Sequence, residues 1–311
     1  MKKWLAALAL SAVFLPALAL AQQPKPSYRF VLVPKVVHPW FDEVNNGAKA
    51  SAKMIQDAAN TKVEVEYLAP QHADVVEQNN IIERSIATQP DAIIVDLLDA
   101  KGNRAVLEEA LEHKIPVIVF DSLPPDGMDL TAIGNDFCEQ ANIASERLVK
   151  LMGGKGEVAI MMGFPTAPNH AQRAECHEKT FAKYPGIKVV AKGIDNDDIG
   201  TAQKQAAAIM QSHPDLKGWV ACDASGPVGI GQAIKEAGKT GKVLEVGLDD
   251  LTDMVQLIKD GVADSSSSTR PEMQGYWAIQ VAWQTALGHK TPKTIDTGIA
   301  VITKANLTTF K

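Results

Sequence analysis

Cysteine, aromatic side chains and long apolar runs are all scarce in this chain of 311 residues. Three cysteines, Cys138, Cys176 and Cys222, are too few for a disulfide framework; they leave room for one bond, with the pair open. Aromatic residues make up only 5%, so rings clustered at one strand edge call for an explanation. Beyond the first 21 residues no segment reaches the ~18 uninterrupted apolar residues of a membrane span. Positive charge is also in deficit, with 31 basic against 37 acidic residues and a net charge of −6. Nucleic acid is thereby excluded as a partner, because that binding needs a basic surface.

The signatures of the common enzyme chemistries are missing as well. There is no Gly-x-Ser-x-Gly nucleophile elbow, no Walker phosphate loop and no His-Glu-x-x-His zinc pair. Gly153-Gly154-Lys155-Gly156 reads as a turn from a helix into a strand, the reverse of the order that a phosphate cradle needs. Gly226-Pro227-Val228-Gly229-Ile230-Gly231 follows a strand pattern, but Pro227 removes an N–H donor and the spacing is not that of a dinucleotide loop. His170, Cys176 and His177 lack the tight spacing of zinc ligands and read as ordinary helix residues. No cofactor, no metal and no catalytic residue are expected, and the chain is not read as an enzyme.

What is present begins with Met1 to Ala21: two lysines, an apolar run and the small-x-small triplet Ala19-Leu20-Ala21, the pattern of a cleaved secretory signal peptide. Loss of Lys2 and Lys3 takes the net charge from −6 to −8. In the remainder, apolar runs alternate with amphipathic stretches, which predicts an α/β protein with parallel sheets. The strand candidates are Phe30–Val36, Val63–Leu68, Ala92–Leu97, Val117–Asp121, Leu130–Ile133, Val158–Met162, Val189–Ala191, Trp219–Asp223 and Val243–Leu248. Val75, Ile82 and Ile86 share one helical face, and Met273, Trp277 and Val281 another. Leu130–Ile133 follows the proline-rich Leu123-Pro124-Pro125-Asp126-Gly127 with no helix between, a break that favours two open sheets over one closed barrel. Asp264–Thr269 is extended and polar, either a plain loop or a hinge strand.

Four apolar runs end on aspartate: Asp96, Asp121, Asp223 and Asp249. In open α/β sheets ligands bind outside the carboxyl ends of the strands, so the four face a crevice, although any one alone could simply cap a helix. The first strand runs into Lys35, His38, Trp40 and Phe41. Carboxylates that accept from hydroxyls, beside rings that cover C–H faces, suit a polyhydroxylated ligand. Arg173 adds a planar fork of donors.

The export signal and these motifs together resemble the periplasmic sugar-binding proteins of ABC transporters, of the ribose-binding type within the type I periplasmic fold. The motifs are Pro39-Trp40-Phe41, Val119-Phe120-Asp121-Ser122, Ile133-Gly134-Asn135-Asp136, Gln172-Arg173, Ala221-Cys222-Asp223-Ala224 and Val246-Gly247-Leu248-Asp249. Val33-Pro34-Lys35 and Phe164-Pro165-Thr166 are similar to the branch that binds autoinducer-2 and rhamnose. The acid and amide which that branch places after Pro-Thr fall here on Asn169 and His170, so the ligand stays open. The resemblance implies two Rossmann-like domains joined by three crossover hinge segments: residues 28–133 with 270–296, and 134–269 with 297–311. It implies ligand contacts from Lys35, His38, Trp40, Phe41, Asp121 and Ser122 in the first domain. From the second it implies contacts from Asn169, Arg173, Asn196 (or its neighbour Asp197), Asp223, Asp249 and Thr269. A monomeric protein of the periplasm is expected, capturing a monosaccharide or polyol for a membrane permease and its ATPase. The alternatives are a sugar-like signal such as autoinducer-2, a chemoreceptor ligand, or a secreted glycosidase using paired carboxylates such as Asp121 and Asp223.

Overall fold

The computed structural model of the protein describes residues 25–310. The expected signal peptide, Met1 to Ala21, lies outside the described residues. Short apolar runs make the inner strands. β3 (Ala92–Val95) and β4 (Val117–Phe120) are buried at every position, which demands cover on both faces and suits parallel pairing. With β1 (Ser27–Val33), β2 (Lys62–Tyr67), β5 (Thr131–Gly134) and β11 (Thr294–Asp296) they form a parallel sheet of order β11-β5-β4-β3-β1-β2.

The second sheet contains β6 (Gly156–Met162), β7 (Ile187–Ile194), β8 (Leu216–Ala221), β9 (Leu244–Leu248), β10 (Ser265–Ser268) and β12 (Ala300–Thr303). Its order is β12-β10-β9-β8-β6-β7, parallel except where β12 meets β10. Helices α1 (Pro39–Ala59), α2 (Val75–Ala87), α3 (Ala100–Glu112) and α9 (Pro271–Ala286) pack on the first sheet. α4 (Phe137–Leu151), α5 (Pro168–Phe181), α6 (Ile199–Ser212) and α7 (Ser225–Glu236) pack on the second, with α8 (Thr252–Asp260) against α7. Asp74, Asp99, Asp136 and Asp198 start their helices by accepting from free backbone N–H groups. The result is two Rossmann-like α/β domains. The chain passes between them three times, from β5 to α4, from β10 to α9 and from β11 to β12.

Two features differ from the sequence reading, and the serine run takes the second of its two readings, a strand at a crossing between the sheets. It lies inside the second sheet between β9 and β12, with all four serines buried; Ser266 Oγ donates to the Asp249 carbonyl, which satisfies a hydroxyl that composition alone marks as loop-like. β11 and β12, three and four residues long, carry no readable alternation. On α9 the expected apolar face is wrong: Met273 and Trp277 are exposed, while Gly275, Ala278, Ile279 and Ala282 are buried with Val281. The reason is close helix packing. A Cβ at Gly275 would lie 1.9 Å from the Val44 carbonyl oxygen of α1, so small residues turn inward and the large ones outward.

Cys138 and Cys176 form the one disulfide among the described residues, with Cα atoms 5.2 Å apart, and Cys222 is buried and free. The bond joins the first turn of α4 to α5, close to the side chains that enter the site.

Glu245 on β9 is fully buried, and neither carboxylate oxygen has a hydrogen-bond partner among the described residues. Burial pushes its pKa well above the usual carboxylate value, so the folded state holds the proton. The sign follows from linkage: the stability tied to this group is complete below the unfolded pKa and is lost as pH rises toward the folded one. Glu245→Gln should therefore be more stable than the parent at alkaline pH, by on the order of 1–3 kcal/mol. The gap should shrink below roughly pH 4. Urea denaturation at both pH values checks this, and a difference independent of pH would contradict it.

Candidate functional site

Both sheets present their carboxyl ends to the same gap, and the side chains entering it come from the residues just after each strand. β1 stops at Val33, and Pro34 turns the chain so that Lys35 points inward, 1% exposed. Its Nζ lies 2.9 Å from an Asp96 carboxylate oxygen, just beyond β3, and donates to Asn169 Oδ1 on α5 at 3.1 Å. Full burial pushes the Asp96 carboxyl up, against the pull of Lys35. Asp121 follows β4 with φ 42°, a left-handed conformation that aspartate tolerates at a cost of about 1–2 kcal/mol. That turn brings its carboxylate to Gln274 Nε2 at 3.2 Å and Asn169 Nδ2 at 2.8 Å. One amide, Asn169, thus bridges Lys35 and Asp121 across the domain gap.

An aromatic wall stands beside this bridge. His38 caps α1 by accepting from the Trp40 N–H through Nδ1, which leaves Nε2 as the donor to Ser225 Oγ, 3.0 Å away in the other domain. Burial lowers the His38 pKa to about 4, in keeping with a neutral ring. The Trp40 and Phe41 rings meet edge to face at 5.1 Å, and Phe41 leans in the same way on Phe120. Trp40 Nε1 donates to Thr269 Oγ1 at 3.1 Å, and Thr269 donates in turn to Asp249 Oδ1 through both its hydroxyl and its N–H. Asp249, at φ 63°, is the second left-handed aspartate at a strand end. Its pKa rises to about 6 because burial outweighs the pull of Arg173.

Arg173 enters from α5, four residues after Asn169 and so on the same helical face. Its Nε donates to Gln140 Oε1 at 2.8 Å, its Nη1 donates to the Cys222 carbonyl at 3.1 Å, and Phe137 lies under the guanidinium at 4.7 Å. Nη2 comes no closer than 3.8 Å to Asp121 Oδ1. The disulfide holds the same two helices one turn further along.

Lys35, His38, Trp40, Phe41, Asp121, Arg173, Asp223 and Asp249 line a single cavity of about 30 Å³, together with His170, Asp197 and Ala224. Asn169 and Thr269 form its wall through the hydrogen bonds above. Two expected residues stay out. Ser122 is buried beside a separate surface recess near Leu123 and Lys293, because the chain turns sharply at Asp121. Asn196 is exposed, and its neighbour Asp197 takes the place in the cavity. A larger cavity of about 430 Å³ lies beyond Trp40 at the crossing from β10 to α9; of its carboxylates, Glu43, Asp253 and Glu272 are exposed and Asp250 is half-buried.

Sequence reasoning left the residues that hold others in place out of the expected ligand contacts. Asp96 was read as facing the crevice, since it ends an apolar run, and His170 as a position where the autoinducer-2 branch places an amide; Gln140, Gln274 and Ser225 sit within helices with no signal. His170 accepts the Phe164 N–H at 2.9 Å, and burial holds its pKa well below the usual histidine value.

Residues 30–290 match the periplasmic binding protein domain. The chain belongs to that family. It is 27% identical over 315 residues to the D-ribose/D-allose-binding protein of Pseudomonas aeruginosa, covering 97% of this chain and 98% of the relative. The ribose import binding protein of Bacillus subtilis is 24% identical over 274 residues, 86% of this chain and 84% of that one. Among solved structures, an ABC transporter solute binding protein from Burkholderia graminis in complex with D-arabinose superposes with a TM-score of 0.85 and 30% identity. That match covers 91% of this chain and 98% of the other.

The buried Lys35–Asp96 pair is a sharp test of the site's architecture. Lys35→Met leaves Asp96 buried without its cation and should cost about 3 kcal/mol at neutral pH. Adding Asp96→Asn should recover most of that loss. Denaturant titration of the three proteins measures it; equal instability of the single and double variants would show that the two side chains are not coupled.

Proposed function

We propose that the protein captures a monosaccharide or related polyol between its two α/β domains and delivers it to the permease and ATPase of an ABC importer. The observation that carries this reading is the cross-gap network: Lys35 and Asp121 meet Asn169, and His38 meets Ser225, all by hydrogen bonds between domains. Donors and acceptors alternate there as they do around a ring of hydroxyls. In this closed arrangement the cavity has room for little more than a water molecule or two. A sugar therefore enters when the domains part, and its hydroxyls take over these bonds as they close. Closure is favoured only by contacts that differ between the open and closed forms, so groups supplied by both domains are what couple occupancy to shape. Trp40 and Phe41 cover the C–H faces of the ring.

The names of the relatives, ribose, allose and arabinose binders, support the ligand class. We place one domain at residues 28–133 with 270–296 and the other at 134–269 with 297–311. We also assign Met1 to Ala21 to export into the periplasm, where the protein acts as a monomer that binds its ligand without turning it over.

A thermal-shift screen of residues 22–311 against D-ribose, D-allose, D-arabinose, xylitol and autoinducer-2, with calorimetry on each hit, tests this. A ligand at 100 times its dissociation constant should add ~2.7 kcal/mol of stability and be recovered unchanged. Asp121→Ala and Asp249→Ala should each weaken binding by at least ~2 kcal/mol, since hydroxyls or Arg173 lose a buried partner. No shift across the panel, or parent affinity in both variants, would sink the assignment.

A further inference from the structure

One side of the cleft carries more carboxylate than its own partners account for. Asp195, Asp197 and Asp223 present oxygens within 4.8 Å of one another, and Asp197 and Asp223 line the cavity. Part of the set is held internally. Asp223 Oδ2 accepts from the Ser225 and Gly226 N–H groups, and Asp195 Oδ1 accepts from the Asp197 N–H. Asp195 Oδ2 and Asp223 Oδ1, on side chains 0% and 2% exposed, meet no N–H or hydroxyl donor among the described residues; what they face is carboxyl groups, Asp223 lying within hydrogen-bond reach of both Asp195 and Asp197. Lys35, the cation that acts on Asp197, is already paired with Asp96 at 2.9 Å. A second, independent sign comes from Arg173, 2% exposed in the wall of the same cavity. Its Nη2 has no hydrogen-bond acceptor among the described residues. Asp223 and Arg173 therefore each bring an unmet polar atom to the wall of one cavity, with an Asp195 oxygen within 4.8 Å of Asp223.

Burial raises the pKa of all three acids, that of Asp195 to about 8, and neighbouring carboxylates add to the rise. The cluster holds protons at neutral pH unless positive charge arrives from elsewhere.

We propose that the Asp195–Asp197–Asp223 cluster seats a protonated amine, and that the ligand is a polyhydroxylated compound carrying an amino group. This rests on the polyol-binding reading of the cleft. An ammonium has three N–H donors and no acceptor; Asp195 Oδ2, Asp223 Oδ1 and the Asp197 carboxylate offer three acceptors. A hydroxyl would use one of them and leave the others unmet. Calcium fits less well, because it takes about six to eight oxygens, and the backbone already holds one oxygen each of Asp195 and Asp223. Arg173 and Asp249 are then left to the hydroxyls.

The test is calorimetry of the mature chain with matched pairs: D-glucose with D-glucosamine, D-galactose with D-galactosamine, and sorbitol with 1-amino-1-deoxysorbitol. At least one amine should bind about tenfold more tightly than its hydroxyl parent, because charge-assisted hydrogen bonds are the stronger kind. Its binding heat should vary with buffer ionisation enthalpy, as the ammonium displaces protons from the cluster. Asp197→Asn should bring the amine-to-parent ratio toward one, and Asp195→Asn should do the same if the first variant folds poorly. Neutral sugars binding with no amine preference, or no binding by any member while a neutral ligand of the thermal-shift panel binds, would overturn the inference and leave the polyol reading standing, whereas no binding in either panel would overturn both. Stabilisation by calcium chloride alone, lost in the variants, would replace the amine with a metal.

Discussion

Carboxylates crowd the line where the two sheets end: Asp96, Asp121, Asp195, Asp197, Asp223 and Asp249 all lie just beyond strands and are largely removed from water when the domains meet. A buried carboxylate without a partner is costly, so each must be paired, hydrogen-bonded or protonated. The structure uses all three solutions. Lys35 answers Asp96, Asn169 and Gln274 answer Asp121, and Thr269 answers Asp249. In the Asp195 cluster, burial holds protons on the acids. Closing the cleft therefore means choosing partners for these groups, and a ligand acts by being a better set of partners than the opposite domain.

The rest of the fold serves that choice. The left-handed turns at Asp121 and Asp249 aim both carboxylates into the gap, and the strain is borne because the strands before them are locked in the sheets. Arg173 is fixed by Gln140, the Cys222 carbonyl and the Phe137 ring, with the Cys138–Cys176 bond holding α4 and α5 together behind it. Three crossings rather than one tie the two domains together, so that the same groups can meet the same partners whenever the gap closes.

The α/β class and most inner strands were legible because parallel strands buried on both faces are written as unbroken apolar runs, such as Ile93-Ile94-Val95 and Val117-Ile118-Val119. The aspartates that end those runs were legible for the same reason: a charge after an apolar run marks the point where the strand leaves the core. β10 was only half legible, as a loop or a hinge strand, because it is buried through serines, two of whose hydroxyls donate to backbone carbonyls, rather than through apolar side chains. The face of α9 was misread because Gly275 permits a helix contact so close that size, not hydrophobicity, decides which residues turn inward. Asn196 and Asp197 were separable only by structure, since both take left-handed backbone angles in a loop with no period to orient them. Gln140, with three side-chain hydrogen bonds, and Gln274, with one, act from helix positions that look like any other.

The central claim is that ligand contacts replace the contacts between domains. The most direct test is the distance distribution between spin labels placed by cysteine substitution at Val37 and Ile194, exposed positions at the carboxyl ends of the two sheets. The account expects a broad distribution in the free protein that shifts to a single short distance when D-ribose, D-allose or an amino polyol from the panels above saturates the site. A ligand that binds measurably while leaving that distribution unchanged would contradict it.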